Sequence, residues 1–224
     1  PRIFFALPLP HGVEPAYLLV TMIQLYGNPF STCTRKVLTA LLETKTPYEL
    51  TVIDFATAEH KGEANLRRQP FGQIPAIDDE GFQMFESRAI CRYISAKAND
   101  QLVPVTMQAR ALMDQWISVE QSNFSPNAMK FVYHHVFNRP QEEAVLAAAN
   151  ATIDTTFSAL SKPLATQTFL TGDKFTIADI GYMPYLHHLV NTPVKATLEK
   201  YPHVAAWWGR LRERESWLKV NAPA

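Results

Sequence analysis

No apolar run in this chain approaches the ~20 residues that span a bilayer as a helix, so a membrane partner is not expected. Net charge is missing too. Lys and Arg total 21 and Asp and Glu total 21, which leaves no field to gather nucleic acid or an anionic surface. Cysteine is scarce: Cys33 and Cys91 alone cannot build the disulfide framework of a small secreted domain, and a reducing, cytoplasmic setting is expected. A single bridge between them is still compatible with the count. A Gly-rich phosphate loop, a Gly-x-Ser-x-Gly elbow and a Cys/His cluster are all absent. His134–His135 and His187–His188 are adjacent pairs, and neighbours on a helix point about 100° apart, poorly placed for one metal; no metal is expected. What is present is core material. Apolar residues make up 47% of the 224, enough for one large domain or two small ones.

Residues 1–21, "PRIFFALPLPHGVEPAYLLVT", carry four prolines and no stable period, without the basic start or small-residue cleavage site of a signal peptide. They read as an extension or cloning remnant ahead of a natural start at Met22, outside the fold. "MIQLYG" alternates like a strand. "NPFSTCTRKVLTALLETK" reads as a loop feeding a helix capped by Ser31. Cys33, Val37, Ala40 and Leu41, widened by Leu38 and Leu42, form its apolar stripe, with Arg35, Lys36 and Lys45 on the wet side. "YELTVIDF" is a second strand, and "ATAEHKGEANLRRQP" is polar with at most a short helix. "IPAID" and "FQMFE" are strands joined by "DEG", followed by the helix "SRAICRYISAKA" with Ala89, Ile90, Tyr93 and Ile94 buried. "NDQLVPVT" reads as a linker. Everything beyond residue 107 is helical in pattern: a long run bent at Pro126, "EEAVLAAANATIDTTFSALSKPL", "FTIADIGYMPYLHHLV" opening on a Thr176–Asp179 capping box, and "YPHVAAWWGRLRERESWL" with Pro202 in its first turn.

A βαβ unit followed by ββα, with a proline at the head of the third strand, is the thioredoxin-like arrangement. In that fold the X-Pro bond, here Ile74-Pro75, is usually cis. It turns the preceding N–H and C=O outward, where an extended peptide can pair with them; an ordinary proline at the start of an edge strand gives the same letters. "FES" places Glu86 and Ser87 at a helix N-terminus. Its free N–H groups and partial positive charge suit a carboxylate, while Glu86 can accept from an ammonium. The blander reading makes Ser87 a cap and Glu86 a solvated surface residue. Ser31 stands where a donor and a helix dipole can stabilise a thiolate, and His60 with Lys61 could hold a second carboxylate. One ligand asks for such a set: a tripeptide with an amino-acid head, a central thiol and a terminal carboxylate, as in glutathione.

At this point the residues carry a family resemblance. "NPFSTCTRKVL", "EHK", "QPFGQIPA", "FESRAI", "WISVEQSNFSP", "KFVYHHVF" and "FTIADI" follow the order of motifs in cytosolic glutathione transferases. The chain is most similar to the phi-type, serine-using group, over about residues 22–218. The resemblance implies a thioredoxin-like glutathione-binding domain over 22–100 and an all-helical domain over 107–224 that contributes the electrophile site. It implies Ser31 as the thiol-activating residue. His60 and Lys61 would lie near the glycine carboxylate, Gln73 and Ile74 with Pro75 along the tripeptide backbone, and Glu86 with Ser87 on the γ-glutamyl head. Arg88 would brace the site or reach across a dimer interface. Phe30, Phe124, Tyr133 and Phe137 would line the electrophile site, and Phe71 would serve dimer or core packing. Glutathione enters as co-substrate with no permanently bound cofactor, small apolar electrophiles are the other partners, and a homodimer is expected. The implied activity is detoxifying conjugation, with glutathione-dependent peroxide reduction as a second use. Cys33 opens two alternatives: thiol-disulfide exchange or dehydroascorbate reduction if it is catalytic, against a core cysteine. Ser31 and Cys33 lie about 200° apart around a helix and should not face one ligand. A non-catalytic carrier that keeps the pocket is the third reading.

Overall fold

The computed structural model describes residues 2–6 and 17–222. Strands β1 (Arg2–Ala6) and β2 (Tyr17–Thr21) pair antiparallel with each other, from Arg2↔Thr21 to Ala6↔Tyr17, and form no ladder with the main sheet. To that extent the reading of 1–21 as patternless is corrected; residue 1 and residues 7–16 of that stretch lie outside the described residues. The main sheet runs β4-β3-β5-β6, from β3 (Ile23–Gly27), β4 (Tyr48–Val52), β5 (Ala76–Asp79) and β6 (Phe82–Phe85). Along β3, Ile23 and Leu25 are fully buried while Gln24 and Tyr26 are half-buried, the period-two pattern of a strand.

Direction matters more than order. Strands β3 and β4 are parallel, β5 is antiparallel to β3, and β6 is antiparallel to β5. Strands β3, β4 and β6 therefore end, and β5 begins, at one end of the sheet. Helix α1 (Thr32–Thr44) leaves β3 there, and α3 (Ser87–Lys97) leaves β6 there. The segment after β4, with its 3₁₀ turn Glu59–Lys61 and helix α2 (Glu63–Arg68), starts from that end as well.

Helix α1 packs on α3 and, across the domain boundary, on α7 and α10. The helical domain is built from α4 (Met107–Val119), α5 (Ser125–His135), α6 (Glu143–Leu164), α7 (Ile177–Leu189), α8 (Val194–Leu198), α9 (Pro202–Arg212) and α10 (Glu215–Val220). Helix α7 is apolar nearly all round, and every residue from Ile177 to Leu186 is buried, as expected of a helix central to its domain. Its capping box forms: the Asp179 carboxylate accepts from Thr176 N at 2.9 Å and Thr176 Oγ1 at 3.1 Å. The same carboxylate accepts from Leu170 N at 3.1 Å and Trp207 Nε1 at 3.0 Å. The stretch between the domains is not loose. Leu102 and Val103 are buried, Ile177 N donates to Leu102 O at 3.1 Å, and Lys174 Nζ donates to Val103 O at 3.0 Å.

Four details differ from the sequence reading. Arg35 and Lys36 are buried rather than wet, because α7 and α10 cover the side of α1 that a lone α/β layer would leave open. In α3 the buried row is Ser87, Ile90, Cys91, Ile94 and Ser95. Ala89 is exposed and Tyr93 half-buried, since α1 and α7 both press on the Cys91 side. The break in the long helix is a π-helical turn, Glu120–Phe124, just before Pro126. Pro126 has no N–H for the Ser122 carbonyl, and the chain widens so that Ser125 N donates to Glu120 O. The last helix is split into α9 and α10 at Glu213–Arg214, where Arg214 clasps Glu43 with two bonds of 2.7 Å.

Candidate functional site

The loop from β3 into α1 is held by Asn28. Its Nδ2 donates to Ile53 O at 3.0 Å, and its Oδ1 accepts from Phe30 N at 3.0 Å. Its own N–H reaches Thr34 Oγ1 at 3.3 Å, and Ser31 N donates to Asn28 O at 2.9 Å. Gly27 is required here, because a Cβ would stand 2.7 Å from Thr34 Cγ2. Ser31 then caps α1, its Oγ accepting from Thr34 N at 3.3 Å. That bond occupies a lone pair of the hydroxyl and leaves its proton directed away from the helix, so Ser31 is set up as a donor.

The other motifs meet Ser31 because their strands end, or begin, on the same side. The His60 ring stands edge-on to Phe55 at 5.0 Å between centroids, and its Nδ1 is buried without a partner among the described residues. Lys61 is exposed and donates to Phe71 O at 3.1 Å. Gln73 is exposed, with its N–H on Gln69 Oε1 at 2.9 Å. The Ile74-Pro75 bond is cis. Buried Asn65 ties these pieces together, its Nδ2 donating to His60 O at 2.9 Å and Gln73 O at 3.0 Å. Neither Asn65 nor Gln69 stood out in the sequence, since both sit in the polar stretch EANLRRQ, where burial leaves no pattern.

At α3 the reading of Ser87 as cap is corrected. Glu86 holds the cap position by its backbone, with Ile90 N donating to its carbonyl at 2.9 Å and no side-chain cap bond. Ser87 is the first helical residue and is buried. The reason is the backbone of Glu86, at φ 74° and ψ 104°, which turns the chain abruptly into the helix. Such a conformation in a non-glycine residue costs of order 1–3 kcal/mol and clusters at binding sites. Here it leaves the Glu86 side chain exposed beside the helix N-terminus.

The aromatic candidates divide. Phe30, Tyr133 and Phe137 are exposed, with the Tyr133 and Phe137 rings 6.2 Å apart on the far end of α5. Met129, one turn before Tyr133, receives the Thr32 hydroxyl at 3.9 Å, so this face of α5 runs outward from the Ser31 loop. Phe124 does not belong with them. It is fully buried against Phe157, Tyr182 and Tyr185, because the π-helical turn aims it into the helical core. Phe71 is exposed, edge-on to Phe85. Cys33 and Cys91 are free thiols. Arg88 braces from within the chain, binding both oxygens of Glu120 at 2.6 and 2.9 Å.

Residues 21–96 match the family model described as "Glutathione S-transferase, N-terminal domain", and residues 124–215 match "Glutathione S-transferase, C-terminal domain". Among curated proteins, glutathione S-transferase hmp2 of Hypomyces subiculosus is 36% identical over 212 residues, covering 91% of this chain and 99% of the relative. Glutathione S-transferase F11 of Arabidopsis thaliana is 33% identical over 207 residues, covering 89% and 97%. Among solved structures, poplar glutathione transferase F1 superposes with a TM-score of 0.84 at 35% identity, covering 89% of this chain and 96% of that one. Glutathione S-transferase I from mais, in complex with an atrazine glutathione conjugate, superposes with a TM-score of 0.82 at 33% identity and the same coverage.

Proposed function

The chain belongs to the glutathione S-transferase family, and from that premise we propose that it conjugates glutathione to small apolar electrophiles through a thiolate stabilised by Ser31. The observation that carries this is the Ser31 hydroxyl. Its lone pair is occupied by Thr34 N–H, which leaves its proton for the sulfur, at the end of the sheet where the other motifs gather. Glutathione would lie with its γ-glutamyl head on Glu86 and Ser87 and its cysteinyl backbone along Gln73, Ile74 and Pro75. Its glycine carboxylate would lie near His60 and Lys61, and the unpartnered His60 Nδ1 supports a polar ligand there. The serine donates a hydrogen bond and forms no covalent bond, and the two reactants are brought together in one cleft. Residues 22–100 would bind glutathione and residues 107–224 the electrophile, in a homodimer, with residues 1–21 outside both.

Conjugation of glutathione to a chlorinated nitrobenzene, read beside displacement of a fluorescent apolar ligand, tests the reading. Turnover is expected; ligand displacement without turnover would make the protein a carrier. A glutathione adduct on Cys33 after treatment with oxidised glutathione, together with activity lost in Cys33→Ser, would favour thiol-disulfide exchange.

Two substitutions separate the subsites. Gly72 lies at φ 60°, and a Cβ there would meet Lys61 Cδ at 2.7 Å and Nζ at 3.0 Å. Gly72→Ala is expected to displace Lys61 and raise the KM for glutathione about fivefold, from about 1 kcal/mol of lost uniform binding, with kcat little changed. Tyr133→Ala is expected to raise the KM for an apolar electrophile about 5- to 30-fold, from about 1–2 kcal/mol of lost apolar contact, and to leave the KM for glutathione alone. Steady-state kinetics with each substrate varied in turn checks both.

A further inference from the structure

Where the domains meet, one buried carboxylate faces two cations. Lys36 and Glu120 are each 1% exposed, with Lys36 Nζ 3.1 Å from Glu120 Oε1. Lys36 also donates to the Tyr185 hydroxyl at 3.1 Å. Arg88 takes both Glu120 oxygens, and its Nη2 also reaches Ser125 Oγ at 3.2 Å. The other titratable groups facing the cluster are Cys33 from α1, Cys91 from α3, and Tyr182 and Tyr185 from α7. Asp179, which also faces Tyr182, is already committed to Leu170, Thr176 and Trp207. On the other side of α1, Arg35 faces His187 and His188.

The charges do not cancel. Burial is the largest single effect on Lys36 and opposes its charge, but the attraction of the Glu120 carboxylate, together with smaller contributions from its neighbours, holds the ammonium above its ordinary range. Arg88 is likewise held above its usual value, burial notwithstanding, by its bonds to Glu120. Burial pushes the Cys91 thiol up to about 12 and raises both tyrosines, so none of these three supplies a compensating anion at neutral pH. Two positive charges share one negative charge, with Lys36 and Glu120 closed to solvent and Arg88 15% exposed. The site is also well placed. Lys36 is five residues along α1 from Ser31, and Arg88 adjoins Ser87.

We propose that Lys36, without touching substrate, supplies a buried surplus positive charge that stabilises the glutathione thiolate at Ser31, and that Glu120 sets its size by cancelling one of two cations. The thiol proton leaves to solvent and the sulfur keeps the electron pair. This inference rests on the glutathione site proposed above. A unit charge at about 10 Å, in an effective dielectric of about 20, shifts a thiol by about one pH unit.

The test titrates the ultraviolet absorbance of thiolate in the protein saturated with glutathione, in a Cys33→Ser background so that the signal is the ligand's. Lys36→Met, which leaves Glu120 paired with Arg88, is expected to raise the midpoint by about one pH unit, with the KM for glutathione nearly unchanged. Lys36→Arg, which keeps the charge, should restore it. Glu120→Gln, which leaves both cations uncancelled, is expected to move the midpoint the opposite way by a similar amount. A packing role would give no such pair of opposite shifts. A midpoint unmoved in Lys36→Met, or raised in Glu120→Gln, overturns the inference while the glutathione site stands. A background protein that shows no bound thiolate overturns both. Should Glu120→Gln fail to fold by circular dichroism, the contrast between Lys36→Met and Lys36→Arg decides alone.

Discussion

Ser31→Ala is expected to lower kcat/KM for conjugation by about 10²–10³, with the affinity for glutathione changed less than about threefold. The size follows from what the hydroxyl does. A preorganised donor aimed at a developing or resident anion contributes far more there than an ordinary hydrogen bond, because its orientation is already fixed. Here Thr34 N–H fixes it, by donating to Ser31 Oγ at 3.3 Å in the first turn of α1. In the proposed binding mode the tripeptide's two charged ends would be held by other residues, so binding should survive the loss of the serine. Stopped-flow kinetics and isothermal titration on the same preparation separate the two quantities. Equal losses in affinity and turnover would recast Ser31 as a binding residue.

Asp179→Ala is expected to cost about 3–5 kcal/mol of stability, a large share of the roughly 5–15 kcal/mol of a typical domain. Removing the carboxylate strands three buried donors, Leu170 N, Thr176 N and Trp207 Nε1, each at about 1–3 kcal/mol before relaxation. It also undoes the cap of the helix on which the helical domain and α1 both pack. Thermal and urea denaturation should show the midpoint falling steeply, while a Ser31→Ala protein melts like the parent. An Asp179→Asn protein, able to keep part of the acceptor set, should fall in between.

The sequence made the ends of the strands legible. Ser31 at a helix start, the proline heading β5, "EHK" after β4 and "FES" after β6 are local patterns, and their convergence follows once the strand directions are known. The Thr176–Asp179 box was equally visible, because capping is encoded within four residues. What stayed hidden depends on contacts made from outside the local segment. Lys36 and Arg35 read as wet because a helix pattern cannot show that α7 and α10 will cover that face. Glu120, within "WISVEQSNFSP", is buried because the π-helical turn before Pro126 carries it inward, which no local pattern encodes. The same turn sends Phe124 to the core and not to a ligand. Asn65 is buried by a bridge between two backbone carbonyls that lie eight residues or fewer away, yet nothing in its neighbours' polarity announces it. Ser87 followed the letters of a cap, but the turn at Glu86 moved the helix start by one residue.

The crystal structure of the protein soaked with glutathione tests the central claim most directly. The account predicts the tripeptide sulfur within about 3.5 Å of Ser31 Oγ, with the γ-glutamyl head at the start of α3. A sulfur bonded to Cys33, or a Ser31 hydroxyl turned to another partner while glutathione occupies the cleft, would contradict it.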